Sequence, residues 1–175
     1  MQISRPTPNE HLPYHLDYID RVPLNADIDA MLATQPLLLR LMMRDLTEEA
    51  ACTPRAPGEW SIKQIVGHCS DTERIFAYRI LCLARGEKQP LPGFEQAEFE
   101  ALSNSNMRSL ASLLAEFDAV RASSLALVRG LPTGTHTIIG TVSGNPLSVR
   151  ALLHIMPGHL AYHLDDLEAN YGLKR

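Results

Sequence analysis

A chain of 175 residues, 45% hydrophobic and 21% charged, fits one soluble globular domain and is too apolar for disorder. No stretch approaches the roughly 18–20 uncharged apolar residues of a membrane span. A net charge of −4 without a basic patch argues against nucleic acid as a partner. Cys52, Cys69 and Cys82 are odd in number and form no C-x-x-C pair, so neither a disulfide framework nor a zinc ribbon is expected. The N-terminus shows no basic-then-apolar order, and the expected compartment is the cytoplasm.

Residues 1 to about 24 carry Pro6, Pro8, Pro13 and Pro23, which interrupt helices and remove backbone donors, so this segment reads as an irregular arm. Asn25 is the expected cap of a first helix. Ile28, Met31, Leu32, Leu38, Leu39, Met42 and Leu46 follow at helical spacing, with a kink expected at Pro36. After Pro54, Pro57 and Gly58, a second helix is expected from its cap Ser61 to Arg85, stopped by Gly86. A loop with Pro90, Pro92 and Gly93 leads to a third helix, expected from about Asn104 to Gly130. Thr137–Val142 is β-prone and Gly144-Asn145-Pro146 reads as a turn, which together suggest a short β-hairpin. The last helix runs from the cap Ser148 to Tyr171, with a bend expected at Pro157. The expected fold is all-α, a four-helix bundle over 25–175 behind the arm of 1–24.

Histidine placement carries the functional argument. Residues four apart on a helix lie within about 40° of each other, so His159 and His163 point the same way, on the flank of a buried stripe. His68 sits at the margin of the second helix's apolar side, beside Asp71, Thr72 and Arg79. One such histidine alone is more often a core residue whose nitrogens simply find partners. Three facing a common core shift that weighting towards a metal site, since neutral imidazole suits zinc, nickel, copper and iron, but spacing does not show that the second and fourth helices are neighbours. His11, His15, His136 and His154 have surface or structural readings: Pro13 separates the first two, and His154 lies about 140° from His159 on the wheel. Asp71 and Asp166 are candidates for a general base, or equally for orienting an imidazole N–H. Arg79 is a candidate cation for substrate, with an ion pair across the bundle mouth as the commoner alternative. Arg74 reads as surface charge, and Trp60 as a pocket wall or, more commonly for an aromatic at a helix start, as packing.

The segments PGEWSIKQIVGHCSDTERIFAYR (57–79), PLPGF (90–94) and SVRALLHIMPGHLAYHLDDLEANY (148–171) together resemble the DinB-like superfamily, over about residues 25–172. The resemblance implies an up-down-down-up bundle, often a homodimer, with a metal triad that falls on His68, His159 and His163. Many relatives carry histidine just before the second paired histidine, where this chain has Tyr162. For activity it implies either a metal-dependent hydrolase or a thiol-dependent transferase acting on a small molecule. The alternative is a non-catalytic, metal-stabilised binding or stress-response dimer. The expected cofactor is one divalent transition metal: zinc, nickel or iron.

Overall fold

The computed structural model describes residues 2–132 and 134–175. Its helices are α1 (Leu16–Ile19), α2 (Ile28–Met43), α3 (Glu48–Cys52), α4 (Ile62–Ala84), α5 (Gln96–Ala101), α6 (Leu110–Arg129) and α7 (Val149–Tyr171). Four long ones, α2, α4, α6 and α7, make the bundle.

Local chemistry sets their ends. Asp27, not Asn25, caps α2 by accepting from the Ala30 amide at 3.0 Å. Ser61 and Gln64 form a reciprocal capping box on α4. Ser109, five residues later than expected, caps α6, because Ser105–Met107 winds as a separate 3-10 turn. Ser148 caps α7 through the Ala151 amide at 3.0 Å, and left-handed Gly172 ends it. The segment read as a plain loop after Pro92 contains α5, a short helix pinned by a Phe94–Phe99 ring contact.

The hairpin forms between β1 (Ile139–Val142) and β2 (Asn145–Ser148), with Val142 opposite Asn145. The turn is therefore Ser143-Gly144, both with positive φ, rather than Gly144-Asn145-Pro146. Leu91 joins the hairpin by exchanging backbone bonds with Thr141 and Ser143, which anchors the loop that carries Phe94.

Side-chain pairs give the topology. Arg40 pairs with Asp118 and Arg129 with Asp29, so α2 and α6 run antiparallel. Ser61 bonds Asn106 and Arg74 pairs with Glu116, so α4 and α6 run parallel. Tyr171 bonds the Trp60 carbonyl while Phe76 touches His159, so α4 and α7 are antiparallel. α2 in turn packs against α7. The order around the bundle is α2, α6, α4, α7, the up-down-down-up arrangement.

The apolar interior falls into two clusters, one around Ile28, Ile80 and Leu152, the other around Leu39, Ile65 and Leu164. A polar layer separates them. Buried Arg121 donates to both Glu73 oxygens at 2.6 and 2.7 Å, and to Gln35 Oε1 at 2.8 Å. The nitrogen that bonds Gln35 also donates to the Leu32 carbonyl at 2.9 Å. That carbonyl lies four residues before Pro36, which has no N–H to give it. Gln35 then donates to the Pro157 carbonyl at 2.7 Å, joining α2 to α7 beside the histidines.

The N-terminal segment, read as irregular, has two 3-10 turns besides α1, and it is built into the core. Ile19 and Val22 are buried, and Glu10 pairs with Arg150 of α7. That guanidinium holds the Glu10 carboxyl down at about 2.

Candidate metal centre

α4 and α7 cross with their histidines face to face. His68 Nε2 lies 3.1 Å from His159 Nε2, and His163 Nε2 lies 3.2 Å from the same atom. A ligand atom from each of the three falls within 4.8 Å of the others, and among the described residues no carboxylate or thiol joins the group. The neighbouring Cys69 is buried, and burial together with nearby Glu73 pushes its thiol up, away from thiolate chemistry.

Two of the three nitrogen–nitrogen separations suit an ion. Two imidazole nitrogens on one tetrahedral ion at about 2.05 Å stand about 3.3 Å apart, and about 2.9 Å at cis octahedral positions. The observed separations of 3.1 and 3.2 Å fall between these values. Without an ion, His159 Nε2 can satisfy only one of its two neighbours with a single proton.

Burial also prepares the donors. His68 and His159 are 5% exposed and His163 9%. Desolvation lowers His68 to about 4 and His163 to about 3, and holds His159 well below the usual imidazole range. All three are therefore neutral near pH 7, with a lone pair free for coordination. Thr72 Oγ1 sits 3.3 Å from His68 Nδ1 and 3.5 Å from its Nε2, beside the ring edge between the two nitrogens.

Aromatic rings wall the site. Trp60 stacks obliquely on His68 at 4.8 Å, and Phe76 and Tyr18 meet His159 edge-on at 5.6 and 5.4 Å. Two adjoining clefts open from it, sharing Tyr18 and Gln96. One, about 370 Å³, reaches His163 between Trp60, Tyr162, Asp166 and Tyr171. The other, about 340 Å³, reaches His159 past Phe76, Phe94 and Arg79.

The two acidic candidates part company here. Asp166 lines the first cleft and accepts from Asn170 at 2.6 Å. Asp71 pairs with Arg74 at 3.0 Å and lines neither cleft. It lies three residues from His68, about 60° round the helix, whereas Thr72 at four residues reaches the ring. Arg79 makes no ion pair among the described residues; it donates to the Pro92 carbonyl at 3.0 Å and faces Phe94.

Tyr14, His15 and Tyr18 line the second cleft, and sequence reasoning had set their segment aside. The overlooked signal is Gly158, a helix glycine beside His159. A Cβ there would come within 2.1 Å of the Tyr18 carbonyl, so only glycine admits the arm. Gly158→Ala is expected to force Tyr18 off α7 and cost about 1–3 kcal/mol, read by urea unfolding. Wild-type stability in that variant would refute the close approach.

Comparison with known proteins agrees with this architecture. No curated protein matches the chain. Its fold is similar to that of YfiT from Bacillus subtilis, described as a probable metal-dependent hydrolase with an unusual four-helix bundle topology. That match has a TM-score of 0.75 and 18% identity, and covers 98% of this chain and 97% of the other. The family model of the DinB superfamily matches residues 31–167, which span α4, α6 and nearly all of α2 and α7; the chain belongs to the DinB superfamily.

Proposed function

We propose that this chain is a metal-dependent hydrolase of small molecules, with one divalent ion held by His68, His159 and His163. The observation that carries the proposal is a triad of neutral, convergent imidazoles that opens onto solvent-connected clefts and gains no fourth protein ligand among the described residues. Three protein ligands with room for substrate is the pattern of catalytic rather than closed structural sites. The description of YfiT as a probable metal-dependent hydrolase supports the same reading.

A divalent ion bound there supplies Lewis acidity, polarising a substrate oxygen. The chain supplies the rest. Trp60, Phe76 and Tyr18 exclude water and hold an apolar part of the substrate. We assign the proton-accepting role to Asp166, which lines the cleft that reaches His163. Thr72 flanks the edge of the His68 ring.

Cobalt-loaded protein tests this reading. Its visible spectrum should change with pH near neutrality, reporting an open, exchangeable position, and the protein should hydrolyse members of an ester and amide panel. A sulfur-to-metal charge-transfer band on adding a small thiol, without hydrolysis, would replace the hydrolase with a thiol transferase. A spectrum indifferent to pH, thiol and small anions would mean a closed ion and end the enzyme reading.

A further inference from the structure

The second cleft contains a cation with no ion-pair partner among the described residues. Arg79 is 7% exposed, yet no carboxylate of the described residues lies within ion-pair distance of it. Only one of its nitrogens has a hydrogen-bond partner, the Pro92 carbonyl. The Phe94 ring, 5.7 Å from the guanidinium carbon, supports one side of the group. Burying a guanidinium costs several kcal/mol unless something compensates the charge. Every other strongly buried cation here is compensated: Arg121 by Glu73 and Lys63 by Glu48.

The surroundings leave the position open for a ligand. The same cleft is lined by His159, so whatever reaches Arg79 can also reach the histidine triad. His15, close enough to feel Arg79, is lowered to about 4, first by burial and then by His11 and Arg79, so it is neutral near pH 7. Glu95 also lines the cleft, but it is exposed and does not pair with Arg79. Among the described lining residues Arg79 is then the one positive charge. The backbone holds it in place, since Pro92 belongs to the loop tied to the hairpin through Leu91.

We propose that Arg79 is an anion subsite of the second cleft, and that the ligands of this cleft are small molecules carrying a carboxylate. The planar fork of free N–H donors suits the two oxygens of a carboxylate. Aromatic Phe76 and Phe94 suit an apolar spacer between that carboxylate and the end that reaches the histidines. The role of that second end rests on the metal-dependent reading above; the subsite itself does not.

The probe is hippurate, a carboxylate with an amide and an aromatic ring, compared with its neutral methyl ester. Binding is followed by calorimetry and by NMR titration on metal-free and zinc-loaded protein. Hippurate should bind at least about ten-fold more tightly than the ester, the size of one charge-assisted contact. Arg79→Gln should erase that preference while taking up zinc like the wild type, and Arg79→Lys should keep part of it. Thermal unfolding of both variants controls for folding. Equal binding of the two probes, binding of neither, or a preference unchanged in Arg79→Gln would overturn the subsite. Tighter binding of benzyl phosphate than of hippurate would overturn the carboxylate class. A hippurate preference in a wild type that takes up no zinc would instead overturn the metal reading and leave the subsite standing.

Discussion

His159→Ala is expected to abolish metal uptake almost completely. His159 Nε2 is the atom to which both other imidazoles are closest, so its removal leaves two donors on separate helices. Loss of a partner that merely orients a ligand commonly costs 10–100-fold in affinity, so losing the central ligand should cost at least about 100-fold. The single tryptophan, Trp60, lies 4.8 Å from the His68 ring, so quenching of its fluorescence by cobalt or nickel reports binding directly. His154→Ala is the control: that ring is buried and bonded to the Arg150 carbonyl at 2.8 Å, apart from the triad. Its uptake should match the wild type. Because burial already holds the three imidazoles neutral, affinity should change little from pH 8 to 6. It should fall as the pH drops towards about 4, where His68 takes up a proton. Equal quenching in the wild type and in His159→Ala would dismiss the assignment.

Glu73→Ala is expected to give the largest loss of stability, about 3–5 kcal/mol. The substitution strands Arg121, 1% exposed, without a counter-charge between the two apolar clusters. At about 2–4 °C per kcal/mol for a chain of this length, the melting temperature should drop by about 6–20 °C. Replacing Glu73 and Arg121 together by methionine should cost less than Glu73→Ala, since no buried charge remains. The double variant should still lose some stability, because the Leu32 carbonyl opposite Pro36 and the Gln35 amide oxygen lose their donor. A loss below about 1 kcal/mol in Glu73→Ala would mean that the polar layer is not needed to hold the bundle together.

The long helices were legible because their signals are local: serine caps before α4 and α7, glycine stops after them, and apolar residues at helical spacing. The histidine positions were legible for the same reason, since spacing fixes direction on a helix. What spacing does not give is which helices are neighbours. That knowledge depended on the resemblance, and the observed antiparallel crossing of α4 and α7 supplies it physically. The N-terminal contribution was hidden because its structure follows no period. Short 3-10 turns punctuated by prolines look like a loop until Gly158 is seen to admit them. The Arg121 layer was hidden for a different reason. A single arginine among apolar residues of α6 gives no sign that its partners are Glu73 on α4 and a carbonyl freed by Pro36 on α2. Asp71 and Asp166 are both candidate bases by sequence, but Asp71 pairs within its own helix with Arg74, which also reaches Glu116 of α6.

The central claim is that one ion sits on three imidazoles with a position left open. X-ray absorption of zinc-loaded protein tests it most directly. The account predicts a first shell of three imidazole nitrogens at about 2.0–2.1 Å and at least one further light atom from solvent, lost in His159→Ala. A shell containing sulfur, fewer than three imidazoles, or a spectrum unchanged in His159→Ala would contradict it.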